Sequence, residues 1–96
     1  MENRIKYKLI DGQEIEMELT LEKLYKLKEK RNEDYLRINK ILLNGVTDIF
    51  EQIVILYSAY LCANIENVDN CMKYEEFEKK INRKAGNLTL VANALL

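Results

Sequence analysis

The stretch IKYKLIDGQEIEMEL, residues 5–19, decides the fold. Ile5, Tyr7 and Leu9 interleave with Lys6 and Lys8, and Ile15, Met17 and Leu19 interleave with Glu14, Glu16 and Glu18. A period of two belongs to strands with one buried face. Asp11-Gly12 between the two runs reads as the turn of an antiparallel hairpin. A plain two-residue loop there sets Leu9 opposite Glu14 and mixes the faces. A three-residue loop, Asp11 to Gln13, or the short turn plus one bulged residue, instead opposes Leu9 with Ile15, Tyr7 with Met17 and Ile5 with Leu19. Lys8 then meets Glu16 and Lys6 meets Glu18, so a basic strand lies beside an acidic one.

Working outward, the period changes from two to that of helices. Thr20 is an N-cap ahead of a helix over 21–31 with Leu21, Leu24, Tyr25 and Leu27 as its apolar stripe. Lys28 to Asp34 is wholly charged or amide; Asn32 reads as a break and a new N-cap for a helix over 33–44, one continuous helix from Leu21 to Leu43 being the alternative. Tyr35, Ile38, Ile41 and Leu42 share its inner side, and Asn44-Gly45 closes it. A third helix over 48–64 carries Ile49, Ile53, Leu56, Tyr57, Tyr60 and Leu61 on one stripe, with Phe50, Val54 and Ile55 widening it, and is expected at the centre of the fold. Asn64 to Asn70 reads as a loop. A helix over 73–84 turns Tyr74, Phe77 and Ile81 inward and ends on Arg83 and Lys84, Gly86-Asn87 interrupts, and a last segment over 88–95 supplies one or two further turns. The fold class is therefore α+β, one domain over 1–96, with an N-terminal antiparallel β-hairpin packed on a bundle of four to five short helices.

Composition narrows function. The 96 residues hold 15 Lys plus Arg against 16 Asp plus Glu, a net charge of −1, and 48% are apolar. A chain this short hides roughly 60 to 65% of its unfolded surface, enough for one modest core. There is no His, Trp or Pro, so imidazole bases, Ser-His or Cys-His pairs and histidine metal ligands are excluded. Cys62 and Cys71 lack metal-site or redox spacing, and both are expected to stay reduced, Cys62 as a core residue. The three glycines fall in turns and helix boundaries, leaving none to wrap a phosphate. The longest apolar run, Ile53 to Ala63, is about half the roughly 20 residues a membrane span needs, and the expectation is a soluble cytoplasmic protein.

Three groupings invite a functional reading. Glu75 with Glu76, or Asp48 with Glu51, are carboxylate pairs, but each sits beside a basic residue or in a helix first turn, where acids are common. Lys23, Lys26 and Lys30 form a stripe that could meet nucleic acid, yet Glu22, Glu29 and Glu33 interleave and no aromatic platform accompanies it. Tyr57 and Tyr60 are packing residues or interface residues, and Leu88, Val91, Leu95 and Leu96 make an apolar tail that either docks on its own domain or faces a partner. These six are the candidate partner-binding residues; no catalytic, cofactor or metal residue is expected.

Beyond these features, the hairpin with its DG turn, TLEKLYKL at 20–27, NKILLNGVTDIFEQIVILYSAYLCAN at 39–64 and MKYEEF at 72–77 together resemble the tail assembly chaperones of long-tailed phages and prophages of Gram-positive bacteria. The resemblance runs from Ile5 to Ile81, and none of its motifs is catalytic. It implies a non-enzymatic protein that binds the tape measure protein, keeps that long helical chain soluble, helps recruit major tail protein and is absent from the finished virion. The chain departs from the family pattern in two ways. Lys73 stands where Ser or Thr is usual, leaving the N-cap to come from elsewhere, with Asn70 as the candidate, and Lys79, Lys80, Arg83 and Lys84 make basic a stretch that is usually acidic. The hairpin's open edge also allows strand pairing into a homo-oligomer. The rival reading is a small nucleic-acid-binding or regulatory protein of a mobile element.

Overall fold

The computed structural model describes residues 4–82 and 84–96, with all of their side chains except that of Ala85. Strands β1 (Ile5–Lys8) and β2 (Glu14–Met17) form an antiparallel hairpin, followed by helices α1 (Leu21–Lys30), α2 (Asn32–Asn44) and α3 (Ile49–Ala63), a 3-10 segment (Ile65–Asn70), α4 (Tyr74–Lys80) and α5 (Ala85–Leu95). The α+β architecture is the one expected.

The hairpin keeps the expected faces but not the expected partners. Ile5 pairs with Met17, Lys6 with Glu16, Tyr7 with Ile15 and Lys8 with Glu14. The Leu9 N–H donates to the Gln13 carbonyl at 2.8 Å and that of Gly12 to the Leu9 carbonyl at 2.9 Å, so the loop is Ile10-Asp11-Gly12, one residue earlier than Asp11 to Gln13. The reason is local. A three-residue loop needs a left-handed residue in third place, and Gly12 occupies it at φ 92°, where the expected loop would have forced Gln13. The pairing shifts by two residues, an even number, which leaves every inward side chain inward.

The shift releases Glu18 from the ladder. Its carboxylate is buried and takes Arg4 Nη2 at 2.8 Å and Nε at 3.2 Å, while its N–H donates to the Ala59 carbonyl at 3.0 Å, tying the end of β2 to α3. At the other end, Ile10 N–H donates to the Lys80 carbonyl at 2.9 Å, so each outer edge of the hairpin is covered at one end by helix backbone.

α3 is the centre. Asp48 caps it by accepting from Glu51 N–H at 2.9 Å, and Ile53, Ile55, Leu56, Tyr57, Ser58, Ala59, Tyr60, Leu61 and Cys62 are all buried. It contacts β2, α1, α2, α4, α5 and the 3-10 segment, the arrangement a helix apolar on nearly every side requires. Thr20 caps α1 as expected, its hydroxyl accepting from Lys23 N–H at 3.3 Å. The chain does break between α1 and α2, at Arg31 (φ −141°, ψ 68°), and Asn32 is the first residue of α2 rather than its cap. Arg31 holds the corner through Asp34 at 2.9 Å and the Val68 carbonyl at 3.3 Å. Gly45 ends α2 at φ 80°, donating to the Ile41 carbonyl at 2.8 Å.

The second half departs further from expectation. Beyond Asn64, the expected loop is not open but forms 3-10 turns over Ile65–Asn70, because Ile65 and Val68, three apart, eclipse on one side and are both buried. α4 stops at Lys80 rather than reaching 84, since Ile81 turns extended (ψ 148°) to bury its side chain. Lys73 holds its N-cap position with no side-chain bond, and Asn70 belongs to the preceding segment. Lys84 precedes α5 instead of ending α4, and Arg83 lies outside the described residues. Gly86-Asn87 does not interrupt. Both lie in the first turn of α5, where Asn87 Oδ1 accepts from the Tyr7 hydroxyl at 2.9 Å, and Leu88, Ala92 and Leu95 bury themselves at i, i+4 and i+7.

Candidate protein-docking groove

Five of the six candidate contact residues are inside or at the margin of the fold. Tyr57, Tyr60, Leu88 and Leu95 are buried, Val91 is half-buried, and Leu96 is exposed. The tail thus takes the first of its two expected courses and docks on α3. The tyrosines form a ring cluster with the next helix. Tyr57 lies 5.2 Å from Phe77 and 5.3 Å edge-on to Tyr74, and Tyr60 stacks on Phe77 at 5.6 Å. Both hydroxyls seize Met72: that of Tyr57 donates to its carbonyl and that of Tyr60 accepts from its N–H, each at 3.0 Å. Burial pushes the Tyr57 hydroxyl up to about 12, with the nearby Asp34 adding to the shift.

The lysine stripe is largely bound within the protein. Lys26 and Lys30 reach Glu66 at 3.2 and 3.8 Å, and Lys30 also donates to the Ile65 carbonyl at 3.2 Å. These contacts strut α1 against the 3-10 segment. Of the carboxylate pairs, Asp48 with Glu51 is structural. Asp48 is a cap, and hydrogen bonds from the Thr47 hydroxyl and N–H hold the Glu51 carboxyl below its usual range, opposite to the shift a general acid needs. Glu75 and Glu76 are exposed. Cys62 is a free, buried thiol raised to about 12 by burial, and Cys71 is a second free thiol. Among the described residues no group of three or more His, Cys, Asp or Glu could hold a metal ion.

One open groove is apolar. α1 and α2 fold back on one another about Arg31, with Leu27, Ile38 and Ile41 pointed into the core. Leu21 (74% exposed), Tyr25 (64%) and Leu42 (42%) stay outside, contrary to the inward stripes expected of them. A helix stripe of one or two residues per turn suffices where α3 already fills the centre, so the remaining apolar positions are displaced to the flank. They line a groove of about 280 Å³ with Leu24, Lys28, Tyr35 and Asn39. Along α1 the lining falls at i, i+3, i+4 and i+7, and along α2 at i, i+4 and i+7, so the groove runs about 10 Å, or two helical turns. Lys28 Nζ sits 5.6 Å from the Tyr35 ring centroid, closing the end nearest the interhelical corner. Leu43, Val46 and Phe50 are exposed around the α2–α3 connection as well.

Three other hollows are polar, one of about 360 Å³ beside Lys30, Glu66 and Asp69 and two larger. One of about 380 Å³ is lined by Arg31, Asp34, Arg37, Tyr57, Lys73 and Glu75 among others, with Arg31 already paired to Asp34 and Arg37 over the Tyr74 ring at 5.4 Å. The other, about 710 Å³ and wide open, has Gln13, Tyr60, Cys71, Lys73, Glu76 and Lys79 on its walls.

The groove residues had a signal in the sequence. α1 and α2 carry Leu21, Leu24, Tyr25, Leu27, Tyr35, Leu36, Ile38, Ile41, Leu42 and Leu43, more apolar positions than a single inward stripe on each would hold. No described helix is long and apolar enough to cross a membrane. No family model, curated protein or solved structure matches the chain.

Proposed function

We propose that the protein is a tail assembly chaperone of a long-tailed phage or prophage, non-enzymatic and acting in the host cytoplasm. It binds the tape measure protein, helps bring in major tail protein, and is left out of the virion. The reading begins from the resemblance carried by residues 5–81. One observation supports it most: the groove between α1 and α2 leaves Leu21, Tyr25 and Leu42 uncovered on a small fold. Exposed apolar grooves of this shape suit the apolar face of an amphipathic helix, the repeating element of a long helical partner. Self-association through the hairpin is a further part of the proposal.

The test is co-expression with the large helical product of the adjacent gene. The soluble fraction of that product should rise several-fold when this protein is present and should co-purify with it. Equal solubility with and without the protein overturns the reading.

A further inference from the structure

Resting on that reading, we infer that the α1–α2 groove takes two turns of a partner helix that presents leucine-like side chains to Leu21, Leu24 and Leu42 and a carboxylate to Lys28. The groove's lining is apolar or aromatic except for Asn39 and Lys28. Lys28 is the only charged side chain in that lining, and it makes no ion pair with a described residue; its contact is with the face of Tyr35. The other lysines of α1 differ, since Lys26 and Lys30 are engaged with Glu66.

An occupant that is apolar throughout would strip water from this ammonium with no countercharge in return, a penalty that disfavours binding. An occupant bearing a carboxylate at that end restores the lost solvation and adds a charge-assisted hydrogen bond. The same cation sets direction. With Lys28 at one end and Leu21 and Leu42 at the other, a helix inserted in reverse puts its carboxylate on leucines and leaves the ammonium covered and unpaired. The length fits, because apolar residues at i, i+3 and i+4 with an acid at i+7 repeat the spacing of the lining itself. Nucleic acid does not fit a groove offering one cation among leucines.

The probe is a synthetic stapled peptide helix with Leu at i, i+3 and i+4 and Glu at i+7, titrated into the intact protein. Binding is followed by fluorescence anisotropy and by backbone amide shifts. The expected result is saturable binding with shifts concentrated in residues 21–28 and 35–42. Replacing the peptide Glu by Lys should weaken it about tenfold, and Lys28→Glu in the protein should recover that loss for the Lys peptide while weakening the Glu peptide. Lys28 is exposed, so Lys28→Glu leaves the core intact, and the reciprocal gain shows that the variant is folded. No binding, shifts lying outside these two helices, or equal affinity for both peptides overturns the assignment. Concentration-dependent shifts of the same residues without peptide also overturn it, in favour of a second copy of the chain.

Failure of the two proposals can be told apart. If the wild-type protein and Lys28→Glu solubilise the tape measure product equally, the groove assignment falls and the chaperone reading stands. If the peptides behave as expected and the tape measure product gains nothing, the reverse holds.

Discussion

The Tyr7 hydroxyl donates to Asn87 Oδ1 at 2.9 Å across 80 residues of sequence, joining the first strand to the last helix. It also accepts from Asn82 N–H at 3.2 Å, so one phenol holds both the segment after α4 and the first turn of α5. Tyr7→Phe keeps the buried ring and removes both bonds. We expect a loss of about 1–2 kcal/mol, because the freed Asn82 N–H and Asn87 amide are only partly exposed to water. Hydrogen exchange should show α5 amides losing protection first, with those of α3 changing least.

Arg4 and Glu18 form a second tie. The Glu18 side chain is 4% exposed and that of Arg4 35%, so the pair is sheltered on one side only. Arg4→Met leaves the carboxylate buried with the Thr20 hydroxyl at 3.4 Å as a remaining donor, and should destabilise by roughly 1–3 kcal/mol. The double variant Arg4→Met with Glu18→Gln should lose less than the sum of the two single changes, measured by urea denaturation.

Gly12 sets the register of the hairpin. At φ 92° a β-carbon is strained, even though space around it is open. Gly12→Ala should cost about 1–2 kcal/mol and Gly12→Asn distinctly less, since asparagine tolerates the left-handed region. Denaturation midpoints read the difference directly. Equal midpoints for the two variants would remove the explanation given for the loop position.

Alkaline stability follows from Tyr57. Its hydroxyl ionises near 10.0 when exposed and is raised by burial to about 12 in the fold. The native state therefore holds this proton more tightly than the unfolded one. The stability it contributes is fully present below pH 10 and is lost as pH rises through about 12. Tyr57→Phe should unfold with a shallower pH dependence over that window, and the near-ultraviolet absorbance of tyrosinate should lose its latest-titrating component. Tyr7 and Tyr60, also raised by burial, add smaller contributions of the same sign.

How much of this was legible in the chain differs by element. The hairpin faces, the Thr20 cap, the Gly45 stop and the central place of α3 follow from spacings within a few residues, and all are present, whereas Asp48, expected in the first turn of α3, is its cap. Hairpin register was ambiguous because shifts by two residues preserve both faces, leaving only turn chemistry to choose. The docking groove was the least legible part. Leu21, Tyr25 and Leu42 read as core residues, and nothing within their own helices distinguishes them from Leu27 or Ile38.

The sequence by itself determined the two strands, the approximate places of the five α-helices and which side of the hairpin turns inward, because those choices depend on periodicity and on side chains that reach neighbouring backbone. Only the tertiary structure decided which leucines stay in water, where α4 ends and whether the C-terminal helix docks. Those outcomes depend on how much room α3 leaves around it, a volume shared among elements far apart in the chain and recorded in none of them singly.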